Sequence, residues 1–335
     1  MKQFLSVVVA LLLLCPLASA QDEVVHKLDY DVSALNQGLD PNRLTCDLHF
    51  HMTEKGNITW ERVVELLPKL REIFKPTGVQ FRVASARLIE IPDAWHSHLP
   101  EKGQAPSSDR TSFDALPGQM KPLAPATERV FKEVIGKEGP GAELSVHFIS
   151  LRSVQIGWWE LDSEGKWGFE KAATSACSFP PYSYGKSMPA RVRGAITISS
   201  KWISSRTLGH ELGHKLINVS HEGVGRGPKG EQRGPNDIMI YGNGTRIPSG
   251  PAGRFQLERL QRSPFLYRMV DGKRRFNTPY REGGHYWDPI YRNSKDESKG
   301  LWADPRPKPT PARRQSTGLN GALPGAPTET KTGPR

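Results

Sequence analysis

The pattern of apolar and polar positions first becomes regular between Thr45 and Thr53, where the two kinds of residue alternate. A period of two predicts a β-strand. Apolar residues then recur at helical spacing from Trp60 to Phe74, and Pro76-Thr77-Gly78 ends this predicted helix before a second strand over 79–88. A strand, a helix and a strand within about forty residues are the crossover unit of a parallel sheet.

The rest of the pattern extends this arrangement to an α/β (α+β) fold. Further helices are predicted over 127–135 and 255–262, and further strands over 143–150, 172–179 and 194–199. Small polar residues interrupt the segment 172–179, as is common in an edge strand. We therefore predict a mixed, mostly parallel and twisted sheet, followed by a helix that carries the chemistry and by a C-terminal helix.

The N-terminal residues have the pattern of a secretory signal peptide, although the chain of 335 residues is polar as a whole, with a mean hydropathy of −0.53. Lys2 precedes an apolar run from Phe4 to Ala20, which closes on small residues. A lipoprotein anchor at Cys15 would need a small residue before it, where bulky Leu14 stands. We predict that residues 1–20 are removed and that the protein is secreted, to the periplasm or to the cell exterior.

Composition divides the remaining chain into three parts. Residues 21–42 are polar and weakly periodic, and we predict an N-terminal arm there. Residues 43–270 are predicted to form one catalytic domain, in which residues 92–125, rich in Pro, Gly and Ser, form a surface insertion. Residues 271–335 are Pro-rich and basic, and we predict a largely disordered tail.

The charge of the chain does not indicate nucleic acid as a partner. The formal net charge is +11, and residues 271–335 hold 13 basic and 7 acidic residues, which accounts for +6 of it. This excess forms no dense Lys/Arg block and has no base-stacking aromatic pattern. We predict no nucleic-acid partner, no membrane span in the mature protein, and a monomer.

Cysteine offers little covalent support to the fold. Cys15 leaves with the predicted signal peptide, so only Cys46 and Cys177 remain for one disulfide. The stability of the protein must therefore come from its core.

The strongest chemical signal is the H-E-x-x-H motif of His210, Glu211 and His214, which lies in a segment with a helical pattern. Residues four apart on a helix share a face, so both imidazoles can face one metal ion. Leucines form a stripe on the opposite side, and Ser204 or Ser205 is the candidate N-cap. The leucines of this stripe are Leu208, Leu212 and Leu216.

A catalytic zinc site needs a third protein ligand beside the two histidines. His221 is the first candidate and Glu222 the second, because imidazole fits the ligand preferences of zinc better. On a straight helix His221 would lie about 10 Å beyond His214, so the helix must end between them. Asn218 tolerates a left-handed conformation and can end the helix there.

Glu211 is predicted to act as a base rather than as a ligand. It points to one side of the histidine pair, where it can take a proton from a water molecule activated by zinc and pass it to a leaving amine. With Zn²⁺ as the cofactor, this arrangement predicts the hydrolysis of peptide bonds in a peptide or protein substrate.

Together with Asp237–Gly242, the segment His210–His221 resembles the metzincin zinc metallopeptidases, whose zinc helix is followed by a methionine-containing turn. The resemblance extends over residues 43–268 and implies a metzincin-like catalytic domain. It implies the zinc ligands His210, His214 and His221, the general base Glu211, and Met239 as a hydrophobic floor beneath the metal.

The resemblance also implies roles beyond the zinc ligands. Tyr241 stands two residues after Met239, as in the astacin-like and serralysin-like branches, where a tyrosine can approach the zinc and then stabilise the tetrahedral intermediate. The third histidine comes one residue later than is usual in the family, which has a histidine at the position of Ser220. In the family the substrate lies along an edge strand above the zinc, and residues 172–178 are our candidate for that strand.

Two functions outside catalysis are alternatives. A zinc-containing protein without turnover could bind extracellular peptide or glycan through the same cleft, and a cell-wall or matrix-binding protein could use the basic tail. Glu211 favours the enzyme, because a binding protein has no chemical need for this carboxylate.

Other histidines are predicted to be structural. His49 and His51 share one side of a strand and could hold a second metal, but the sequence places no carboxylate beside them, so we predict polar strand residues. His96 and His98 are predicted to be loop histidines, and His147 a satisfied core or edge residue.

Overall fold

The computed structural model describes residues 23–103, 123–179, 189–217, 236–240, 243–247 and 254–277. All of them belong to the first of the two units into which the chain divides, Met1–Ala303 and Asp304–Arg335. The predicted signal peptide, and the predicted tail beyond residue 277, lie outside the described residues.

Eleven strands and four α-helices are described. The strands are β1 (Val25–Asp29), β2 (Leu44–Thr53), β3 (Val79–Glu90), β4 (Ser97–His98), β5 (Val146–Ser150), β6 (Ser153–Leu161), β7 (Trp167–Thr174), β8 (Ala176–Cys177), β9 (Ala195–Ile198), β10 (Leu266–Val270) and β11 (Lys273–Phe276). The helices are α1 (Trp60–Phe74), α2 (Pro125–Gly136), α3 (Ser205–Ile217) and α4 (Arg254–Gln261).

The main sheet has eight strands, and its centre is parallel. Strands β3, β2, β5 and β9 are neighbours in that order, and β1 and β8 are added antiparallel at the two ends of this row. Strand β10 pairs antiparallel with the start of β2 and with β11. Strands β4, β6 and β7 form a second sheet. The predicted α/β class with a mixed sheet is confirmed.

Strand β2 is buried along its whole length because helices cover both faces of the main sheet. Its residues Leu48, Phe50 and Met52 lie in a core with residues of α1, α3 and α4. The opposite face carries His49 and His51, and residues of α2 form a second core on that side. The alternation predicted for this strand therefore places its apolar residues on one face of the sheet and its two histidines on the other.

Helix α1 occupies the predicted range and has clear local signals at both ends. The Thr59 side chain caps it by accepting a hydrogen bond from the Arg62 backbone N–H at 3.3 Å. A short 3₁₀ turn follows, and Gly78 ends it with a φ of 75°, a left-handed conformation that glycine adopts without steric cost.

The sheet extends past both predicted limits of the catalytic domain, residues 43 and 270. Strand β1 lies in the predicted N-terminal arm, and Asp29 accepts a hydrogen bond from Nε of Arg87 in β3 at 2.7 Å. The hairpin of β10 and β11 turns at Asp271 and Gly272, which both have positive φ. Most residues of β1 and β11 are exposed, so their pairing leaves no pattern of a buried face in the sequence.

The predicted surface insertion over 92–125 contains buried residues near its start. Trp95, His96 and His98 are 5%, 1% and 2% exposed. Nδ1 of His98 lies 2.7 Å from Oγ1 of Thr127 in α2. The prediction of a surface location is wrong for these residues, because contacts with distant elements bury a segment whose composition is typical of a loop.

Two further structural expectations can be compared with the fold. Cys46 and Cys177 are both buried, and they do not form the disulfide that the sequence allows. Among the described helices, none combines the length and the apolar character needed to cross a bilayer.

Candidate active site

Helix α3 carries the H-E-x-x-H motif, and local sequence explains where it begins and which side it buries. Ser204 is the N-cap, since its Oγ accepts a hydrogen bond from the Thr207 backbone N–H at 3.1 Å. The predicted leucine stripe is buried in the main core, which attaches the helix to the sheet. The leucines are Leu208, Leu212 and Leu216.

The two histidines of the motif, named here the helix histidines, meet through their Nε2 atoms. Nε2 of His210 and Nε2 of His214 are 3.1 Å apart, and the ring planes are inclined by 82°. Nδ1 of His210 lies 2.6 Å from the carbonyl oxygen of Ile238, so Nδ1 carries the proton and donates it. Nε2 of His210 then carries the lone pair that a metal ion needs.

This pair fits a zinc ion. Two nitrogens that are each about 2.1 Å from one ion in a tetrahedral arrangement are about 3.4 Å apart, close to the observed 3.1 Å. A carbonyl that fixes the other ring nitrogen is the usual outer-shell partner of a metal-binding histidine. His221, Glu222 and Tyr241 lie outside the described residues, and within the described residues no group of three or more His, Cys, Asp or Glu side chains is arranged to hold one metal ion.

The methionine-containing turn packs against α3 at two glycines. A Cβ atom at Gly209 would lie 2.8 Å from Cδ1 of Ile238, and one at Gly213 would lie 2.3 Å from Sδ of Met239. Met239 is fully buried. The sequence pattern indicated Met239 but not Gly213, a residue inside the motif whose small size makes room for the methionine.

Glu211 lies in an environment suited to a base. Burial raises the pKa of Glu211 to about 7, although the charges of Lys215 and Arg206 and a hydrogen bond from the Ser178 backbone act in the opposite direction. Neither of these two cations was predicted from the sequence. Lys215 is fully buried, and Nη2 of Arg206 donates to the carbonyl oxygen of Ile240 at 3.0 Å. Lys215 stands four residues after Glu211, one helical turn away, which is a signal that could have indicated it.

The predicted edge strand over 172–178 is divided between two sheets. Residues up to Thr174 belong to β7, which pairs with β6, whereas Ala176–Cys177 form β8 at the edge of the main sheet. Ser178, whose backbone bonds Glu211, follows β8 directly. The residue that follows the edge strand of the main sheet therefore contacts the carboxylate of the motif.

A second cluster, named here the sheet histidines, is formed by His49, His51 and His147 on the α2 side of the main sheet. Nε2 of His51 and Nδ1 of His147 are 3.1 Å apart, and Nε2 of His147 lies 2.7 Å from the carbonyl oxygen of Ala142. That carbonyl makes Nε2 of His147 a donor, so its Nδ1 accepts the N–H of His51. Nδ1 of His49 lies 3.1 Å from Oε2 of Glu138.

His51 and His147 are held in the neutral form beside an ionised carboxylate. Burial lowers the pKa of His51 to about 3 and that of His147 well below its ordinary value. Burial also raises the pKa of Glu138, but the hydrogen bond from His49 and the electrostatic interactions with the neighbouring histidines and Arg87 outweigh this and lower it to about 2. His147 is a satisfied core residue, as predicted, and Glu138 is a carboxylate that the sequence did not place here.

No protein-family model matches the chain, and none of the curated proteins is significantly similar to it in sequence. Its function is therefore inferred from the chemistry of α3 and of the residues around it.

Proposed function

We propose that this protein is a secreted zinc-dependent metalloendopeptidase of the metzincin type. The observation that carries the proposal is the helix-histidine pair, with two Nε2 atoms 3.1 Å apart and one tautomer set by the Ile238 carbonyl. Glu211, next to His210 in the same helix, is buried beside this pair. Two imidazoles and one carboxylate in this order are the donor and base set of zinc peptidases.

Each residue has a defined part in the proposed reaction. A bound zinc would supply Lewis-acid chemistry to the scissile carbonyl and to the attacking water. His210 and His214 would hold the metal, and His221 is the proposed third ligand. Glu211 would take a proton from the water and deliver it to the leaving amine, and a pKa near neutrality suits both transfers.

The proposed substrate is an extended peptide. Strand β8 stands at the end of the main-sheet row, and we propose that the peptide is added at this edge by strand addition. A peptide added there would run toward Glu211, because Ser178 joins the end of β8 to that carboxylate. Tyr241 is the proposed group that stabilises the tetrahedral intermediate.

The test compares the wild type with Glu211→Gln and with Glu170→Gln, a control at an exposed glutamate of β7. We expect about one zinc per chain in all three proteins, because none of these changes removes a proposed ligand. Cleavage of an unfolded protein such as casein should fall by about 10²–10⁴-fold in Glu211→Gln and stay unchanged in Glu170→Gln.

Two outcomes would contradict this proposal in different ways. Cleavage that persists in Glu211→Gln would reject the base. Zinc in the wild type without any cleavage would favour the alternative, a zinc-containing protein that binds extracellular peptide or glycan.

A further inference from the structure

A buried polar pair connects helix α4 to the turn that supports His210. Gln256 in α4 and Asp237 at the start of the turn are 0% and 2% exposed. The side-chain amide of Gln256 donates to both carboxylate oxygens of Asp237, at 3.2 Å to Oδ1 and 3.0 Å to Oδ2. Burying a carboxylate is costly unless it is hydrogen-bonded, so packing alone gives no reason for a charged group here.

Asp237 fixes the backbone of the turn. Its Oδ1 accepts the backbone N–H of Met239 at 2.8 Å, and its own carbonyl accepts that of Ile240 at 3.3 Å. Ile238 lies between these two bonds, so its peptide group has little freedom to rotate. The carbonyl of Ile238 is directed at α3, where it accepts the Nδ1–H of His210 at 2.6 Å.

Helix α3 has a glycine at the point where it approaches the turn. Gly209 faces Ile238, where a Cβ atom would lie 2.8 Å from its Cδ1. Glycine inside a helix is destabilising relative to alanine, so its presence calls for a packing reason. Nη2 of Arg206 adds a second connection, since it donates to the carbonyl of Ile240. The contact of Gly209 with Ile238 and the hydrogen bond from Arg206 together fix the distance between α3 and the turn.

We propose that Asp237 and Gln256 are positioning residues for the metal-binding imidazole of His210. The hydrogen bonds run from Gln256 through Asp237 and the Ile238 carbonyl to Nδ1 of His210, and they keep Nε2 directed at the metal side. This inference rests on the proposed function, in which His210 is a zinc ligand. Outer-shell partners of this kind contribute about 10–100-fold to metal affinity.

The first test measures zinc affinity of the full chain by competition with a chromogenic chelator. Asp237→Ala and Gln256→Met should weaken zinc binding by about 10–100-fold. Asp237→Asn keeps an oxygen for the Met239 N–H and a polar partner for Gln256, so it should bind zinc nearly as the wild type does. Gln261→Met changes an exposed residue of the same helix and should have no effect.

The second test detects the tautomer of His210 by nitrogen NMR of the zinc-free protein, at a pH of about 8 where imidazole is neutral. The His210 signal, identified by its loss in His210→Gln, should show the Nδ1–H tautomer in the wild type. In Gln256→Met it should shift toward the Nε2–H tautomer, because the acceptor for Nδ1–H is no longer fixed. This readout does not depend on bound zinc or on peptide cleavage.

A purely structural role for the pair predicts a different result. A lower melting temperature of Gln256→Met, with unchanged zinc affinity and an unchanged His210 tautomer, would overturn the inference. Zinc binding by the wild type without cleavage would reject the proposed function alone, since the positioning of His210 would still be measured by affinity and tautomer.

Discussion

The helix histidines and the sheet histidines each contain two ring nitrogens 3.1 Å apart, yet the rings are arranged differently. In the sheet, the centroids of His51 and His147 are 5.4 Å apart and the planes differ by 14°, so the rings lie nearly end to end and share one proton. In the helix, the centroids of His210 and His214 are 4.5 Å apart and the planes differ by 82°. The shorter centroid distance means that the helix nitrogens are directed at an angle to each other, which suits an ion between them.

The carboxylates beside the two groups of histidines differ in their pKa values. Glu138 contacts Arg87 and His49, and its pKa is lowered to about 2, so it stays charged. Burial dominates at Glu211 and raises its pKa to about 7, so it can exchange a proton near neutral pH. Similar residue types thus form a fixed polar network in one place and, in the other, a set suited to the proposed proton transfers. The hydrogen bond from His49 is the largest of the interactions that lower the pKa of Glu138.

The largest effect that separates the two groups should be on zinc. We expect His210→Ala and His214→Ala each to weaken zinc binding by more than about 100-fold, because losing a ligand exceeds the usual effect of losing an outer-shell partner. His147→Ala should leave the zinc content of the folded protein unchanged. Metal analysis after dialysis against a weak chelator measures both results. Loss of zinc from His147→Ala, with zinc retained in His210→Ala and His214→Ala, would contradict the distinction between the two groups.

The second-largest effect should be on stability, to which the sheet histidines should contribute more than the helix histidines. His147→Leu leaves the Ala142 carbonyl and the His51 N–H without their partner, which should reduce the free energy of unfolding by about 2–4 kcal/mol. In chelator, where zinc cannot contribute, His214→Leu should cost less than His147→Leu. Urea denaturation measures both changes. The same loss in both variants would mean that the helix pair is as structural as the sheet pair.

The smallest effect should be on the pH dependence of stability. The pKa of His51 is about 3 in the folded protein and about 6.5 when unfolded. Between these values the unfolded chain binds a proton that the folded protein excludes, so the free energy of unfolding falls as the pH falls. The slope is about 1.4 kcal/mol per pH unit for each such histidine. Below pH 4.5, protonation of unfolded Glu138 acts in the same direction.

The control for this pH dependence is the double variant His51→Leu/His147→Leu, which removes both partners of the hydrogen bond. Urea denaturation in chelator, between about pH 7 and 4, should give a shallower slope for this variant than for the wild type. Equal slopes would show that His51 and His147 are not held neutral by the fold.

The two groups also differ in how far the sequence predicts them. The helix histidines, Glu211 and the leucine stripe follow from spacing along one helix, so a local pattern was sufficient. The sheet histidines depend on the register of β2 with β5, which places His49 opposite His147, 98 positions further along the chain. No local pattern contains that pairing, and the contact with Glu138 has the same origin.

Similar reasoning explains which parts of the fold were predicted. Helix α1 and strand β2 have strong periodicity because each buries a continuous face, and their predicted ranges agree with the structure to within one residue. Strand β1 is mostly exposed, and its pairing with β3 left no apolar pattern. At the site, the contact of Ile238 with His210 joins residues 28 apart through a backbone carbonyl, which residue types alone do not reveal.

The measurement that most directly tests the assignment of the metal is an anomalous difference map from crystals of the protein, recorded at the zinc absorption edge. The account predicts one peak, about 2.1 Å from Nε2 of both His210 and His214, and none between His51 and His147. A peak between the sheet histidines, or no peak at the helix pair in zinc-loaded crystals, would contradict it.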